Sequence, residues 1–151
     1  MAPVVLMVLL VIHMFLVKNL SSNQLFKGLQ KSLQNNQFSV EIPSLKIIGR
    51  CKFTESKDDL LCEEFYENSY NSFLMRFSEK VLIITKPNRT FLHEFSFKSN
   101  QYPLHSSHVH ICGNDTYFCA ISILSAKQFI IEYNVYGLHK NYSITKQYSQ
   151  L

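Results

Sequence analysis

LHSSHVHICGNDTYFC, from Leu104 to Cys119, is the stretch on which the reading of this chain turns. A polar turn, Gly113-Asn114-Asp115, divides a histidine-rich segment from Thr116-Tyr117-Phe118-Cys119, and strand formers continue through Ala120-Ile121-Ser122-Ile123-Leu124. Side chains alternate from face to face along a strand, so Tyr117 and Cys119 share one face. A buried Tyr two residues before a buried Cys can fold its ring under the corner. Its hydroxyl then turns back to a main-chain group upstream.

Outward from this stretch, the same alternation marks a β-dominated body. Strands are predicted over Phe38–Ile42, Leu45–Phe53, Leu60–Tyr66, Ser72–Phe77, Lys80–Thr85, Phe91–Lys98, Phe129–Tyr136 and Tyr142–Tyr148. Phe91, Phe95 and Phe97 fall on one face of their strand. Before them, residues 23–37 carry Leu25, Phe26, Leu29 and Leu33 at helical spacing, which reads as a linker or a short amphipathic helix. About nine short strands and no long helix point to an all-β sandwich or barrel over residues 38–151.

Leu104, Val109, Asp115, Tyr117 and Cys119 resemble the strand E to strand F passage of a V-set immunoglobulin domain, with the Asp about two residues late. Cys51-Lys52-Phe53 resembles that family's strand B cysteine, and the resemblance spans about residues 38–136. It implies a two-sheet sandwich bridged by Cys51–Cys119, which leaves Cys62–Cys112 as a second bridge. The T-cell co-stimulatory receptor branch is similar in lacking the strand C Trp and in carrying a second disulfide. The chain departs from that branch in having no proline between Ile123 and Gln128, and no Gly-x-Gly on a last strand. The function implied is recognition of a cell-surface or secreted glycoprotein through a sheet face or the loop after Cys119. Ile121, Ile123 and Leu124 are then the candidate contacts, together with Phe129 to Ile131.

A calycin-like or lipocalin-like carrier is the alternative: a β-barrel whose Phe, Leu and Ile face inward around a small apolar ligand. Asn141-Tyr142-Ser143-Ile144 is loosely similar to the last strands of a lipocalin, although the Gly-x-Trp opening of that family is absent. Local bridges, Cys51–Cys62 and Cys112–Cys119, are the competing connectivity for the four cysteines.

The N-terminus predicts export. Val4 to Val17 is apolar apart from His13, and Lys18 closes it. That run is shorter than the roughly 20 residues a membrane-spanning helix needs and suits a signal-peptide core, with residues 1–22 removed. In a secreted chain Asn88, Asn114 and Asn141 each open an Asn-x-Ser/Thr acceptor for glycosylation, and Asn19 matches within the leader. The net charge of +4 carries no Lys/Arg block, which argues against nucleic-acid binding.

His105, His108 and His110, with His93 upstream, are the only constellation with metal-binding chemistry. His108 and His110 share a strand face and His105 lies on the other, so the group reads as exposed histidines and no metal is expected. No nucleophile with a base, working carboxylate pair or glycine-rich phosphate loop is present, and no enzyme activity or cofactor is expected. Glu63-Glu64 and Asp58-Asp59 read as solvated charge because adjacent side chains diverge.

Overall fold

Apolar residues at every second position turn most of the chain into strands, and the strands follow one another as a meander. The structure, a computed structural model, describes residues 22–151. Helix α1 (Ser22–Asn35) leads into β1 (Phe38–Ile42), a 3-10 turn (Pro43–Leu45), β2 (Ile47–Ser56), β3 (Asp59–Phe65), β4 (Tyr70–Ser78) and β5 (Val81–Thr85). Then come β6 (Phe91–Ser96), β7 (Leu104–Cys112), β8 (Asp115–Ser125), β9 (Gln128–Tyr136) and β10 (Asn141–Gln150). The expected signal peptide over residues 1–22 falls almost wholly outside the described residues.

All ten strands belong to one antiparallel sheet, in the order β6-β5-β4-β3-β2-β1-β10-β9-β8-β7. The all-β class is as the alternation predicts, but the two-sheet arrangement is corrected. A sandwich needs a break in the ladder, and β1 bridges the place where it would fall. Phe38 pairs with Cys51 on β2 and with Gln150 on β10, so the two halves of the chain are continuous. The sheet curls until its end strands face each other, with the His93 and His108 rings 5.5 Å apart across the seam. The result is a nearly closed, barrel-like sheet.

One end of this barrel is stoppered by α1. Phe26, Leu29 and Leu33 are buried, as the helical spacing predicts, and Phe26 packs on Phe77 and Phe97 at centroid distances of 5.5 and 5.6 Å. Ser32 Oγ donates to the Ala126 carbonyl at 3.0 Å, fixing the helix to the β8–β9 turn. Above the helix an aromatic layer fills the interior. Phe38 meets Phe53 edge-on at 5.5 Å, and Phe129 stacks on Tyr148 at 4.2 Å. Because strands alternate in direction, the turns β1–β2, β3–β4, β5–β6, β7–β8 and β9–β10 all gather at the opposite end.

Among the described residues all four cysteines are thiols, so neither Cys51–Cys119 nor Cys62–Cys112 is joined. Instead Cys51 and Cys62 Sγ lie 3.3 Å apart on adjacent strands. Cys112 pairs with Asp115 and Cys119 with His108, so those two thiols are four residues apart along the ladder, roughly 13 Å. If an oxidant joins any pair, non-reducing peptide mapping should find Cys51–Cys62. A Cys51–Cys119 peptide would contradict that expectation.

Candidate functional site: the interior at the open end

Glu64 is the residue around which the open end of the interior is built. Leu60, Cys62 and Glu64 share the inward face of β3, and Glu64 has no exposed surface. The expectation of solvated charge at Glu63-Glu64 is therefore corrected for one of the pair. The two do diverge: Glu63 accepts from the exposed Tyr70 hydroxyl at 3.0 Å, while Glu64 is enclosed. Asp59 is corrected likewise, being buried between Arg76 at 2.7 Å and Arg89 at 2.6 Å.

Four donors satisfy the Glu64 carboxylate. Oε2 accepts from Lys146 Nζ at 2.5 Å, Asn71 Nδ2 at 2.9 Å and the Tyr66 hydroxyl at 3.0 Å, and Oε1 accepts from the Tyr148 hydroxyl. A carboxylate has about four lone-pair sites, and the four donors fall three on Oε2 and one on Oε1. Gly49 makes part of this possible. A Cβ there would meet the Phe65 carbonyl at 2.6 Å and the Tyr66 ring at 2.7 Å, so only glycine lets Tyr66 lie over Glu64. Burial first, and then the Glu64 charge, raises the Tyr66 and Tyr148 hydroxyl pKa values; burial is also the first cause at Tyr133, followed by Cys119 and Glu64. These tyrosines therefore act as neutral hydrogen-bond donors.

Above this floor a cavity of about 490 Å³ opens between β4, β5, β6, β9 and β10. Phe73, Ile84, Leu92, Val135 and Ile144 give it apolar walls, and Lys146 and Asn71 face into it below. Lys146 stands four residues inward of Tyr142 on β10, roughly 13 Å from the rim. The rim is tied by Lys140, whose Nζ lies 3.2 Å from Asp115 Oδ2 and donates to the Tyr117 hydroxyl at 3.1 Å. Tyr117 thus points its hydroxyl to Lys140, which replaces the tyrosine corner expected from the sequence.

The histidines separate as their spacing requires. His105 is outside, 2.9 Å from Ser122 Oγ, whereas His108 and His110 line the inner side of the seam. His93 on β6 is buried and joins them: its Nδ1 is 3.3 Å from His108 Nδ1, and its ring also meets His110 and Tyr133. Phe91 packs edge-on to His108 at 5.6 Å. Side chains therefore join β6 to β7. Among the described residues no three His, Cys, Asp or Glu side chains are placed to hold a metal ion.

His93 remains neutral down to about pH 4, below the usual 6.5, because burial disfavours its cation and His108 and His110 repel it. The unfolded chain takes up that proton near pH 6.5, so stability is fully present above pH 6.5 and falls as the pH drops toward 4. The loss attributable to His93 should be about 2 kcal/mol after screening by the half-exposed neighbours. Urea unfolding between pH 7 and 4 should show it, and His93→Gln should flatten the slope. An unchanged slope in that variant would place the acid sensitivity elsewhere.

The remaining predicted residues are placed as follows. Ile121 and Ile123 are 1% and 2% exposed and face the core, whereas Leu124 is 36% exposed on the outer face. Of the three candidate partner contacts, only Leu124 is presented to solvent. Phe129 and Ile131 are likewise buried. Asn88, Asn114 and Asn141 are all exposed, in or beside turns at the open end. Lys146 is the site residue a reading of motifs passes over, while Glu64 and His93 are named there without their buried roles; period-two alternation with Leu60 and Cys62 is the signal that turns Glu64 inward.

Residues 28–150 match the model of a family described as a family of unknown function (DUF6314). No curated protein and no solved structure matches the chain.

Proposed function

The chain belongs to the DUF6314 family, and from the interior of its barrel we propose that it is a carrier of a small, largely apolar ligand, in the manner of a calycin. One observation carries the reading. The curled sheet encloses a cavity of about 490 Å³ that is closed by the aromatic layer toward the helix and open at the other end. That volume lies within the roughly 300–1,000 Å³ of small-molecule sites, and apolar walls with a few polar groups are their usual lining. The donors at the floor are held by packing, so the site is formed before a ligand arrives.

The carrier is proposed to be secreted, with glycans at Asn88, Asn114 and Asn141 around the mouth. Recognition of another glycoprotein is the weaker reading, because Ile121 and Ile123 are turned into the core. Native mass spectrometry of protein purified from eukaryotic culture medium, followed by organic extraction, tests the proposal. A stoichiometric apolar small molecule is expected, or saturable uptake of a neutral apolar dye by the empty protein. An empty protein that takes up no such dye would refute it.

A further inference from the structure

Resting on the carrier reading, we infer that the cavity floor receives an uncharged acceptor oxygen, so that the ligand is an apolar molecule with a carbonyl at its buried end. The hydrogen-bond account of the floor leads there. Glu64 already accepts from four donors, three at Oε2 and one at Oε1, and it has no hydrogen to give a ligand. Lys146 spends one of three N–H groups on Glu64, and Asn71 one of its two amide hydrogens. Both residues line the cavity, so the unspent polar capacity at its floor includes these donor hydrogens.

Charge decides between a carbonyl and a carboxylate. Lys146 and Glu64 form a pair of zero formal charge, 2.5 Å apart, with side chains 14% and 0% exposed. A carboxylate seated on Lys146 would place a second negative charge beside Glu64, away from water, with one cation for two anions. Desolvating an ion without full compensation costs several kcal/mol, whereas a neutral carbonyl needs only the donors already there. Lys86 also lines the cavity, but it is exposed, and a carboxylate bound to it would stay in water.

Three probes of equal chain length test this on the full chain: a long-chain methyl ketone, the matching carboxylate and the parent alkane, each competing with a neutral apolar dye. The ketone should bind about tenfold more tightly than either of the others, the size of one good hydrogen bond. In a Glu64→Gln/Lys146→Met double variant, which leaves no orphan charge, the ketone's advantage over the alkane should shrink, because only the amide donors of Asn71 and the introduced glutamine remain at the floor. The carbonyl stretch of a carbon-13-labelled ketone should also move to lower frequency when bound to the unmodified protein. A carboxylate that binds as tightly as the ketone, or an alkane that does so, overturns the inference and leaves the carrier standing. Failure of all three probes and the dye overturns the carrier reading itself.

Discussion

Replacing Lys146 with methionine should destabilise the protein by about 3–5 kcal/mol, because it leaves the Glu64 carboxylate buried without its cation. Among the described residues the ammonium is the only positive charge bonded to that carboxylate; Tyr66, Asn71 and Tyr148 supply neutral donors. Breaking one half of a buried pair costs more than removing both halves, since the orphaned ion must be desolvated alone. The Glu64→Gln/Lys146→Met double variant should therefore lie closer to the unmodified protein than Lys146→Met does. Urea unfolding at neutral pH measures both. A Lys146→Met loss under about 1 kcal/mol would mean that water reaches the carboxylate and that the floor is not enclosed.

Phe38→Ala should cost a comparable amount, about 3–5 kcal/mol, through the transfer energy of the ring and the void left behind. Phe38 is fully buried and touches Phe53 and Phe129, so its loss loosens the aromatic layer beneath the cavity from two sides. It also stands on β1, the strand that joins β2 to β10 and makes one sheet of the two halves. Leu124→Ala, on the outer face, should change stability by under about 0.5 kcal/mol. Equal effects at the two positions would contradict the inside and outside assigned here.

Much of the local structure can be read from the chain. The spacing of Leu25, Phe26, Leu29 and Leu33 leaves a linker or a short helix open, of which the structure has the helix, and alternation places β1 to β6, β9 and β10 within a few residues. The closure of the sheet cannot be read in the same way. Alternation says which face a residue takes, but it does not say which strand lies beside it. Tyr117-Phe118-Cys119 has the same period-two pattern in a sandwich corner and in a barrel wall. The resemblance to an immunoglobulin strand F carries no information that would separate them. The ladder from Phe38 to both Cys51 and Gln150 is a long-range pairing, and no local motif marks it.

The site was partly legible for the same physical reason. A carboxylate beside another carboxylate suggests a wet loop, yet one step along a strand carries Glu64 from solvent to the interior. Its partner Lys146 lies 82 residues away in sequence and meets it only because β10, three strands along the same curled wall, turns Lys146 inward. His93 was visible as a neighbour of the histidine-rich segment, but its role needed β6 and β7 to become the two ends of one sheet.

The central claim, that the interior is the binding site, is tested most directly by nuclear magnetic resonance titration of the nitrogen-15-labelled protein with a neutral apolar ketone. The predicted result is a saturable set of shifts at Asn71, Phe73, His93, Tyr133, Ile144 and Lys146, with Leu124 unmoved. Shifts confined to the outer face around Leu124, or no saturable shift at all, would contradict it.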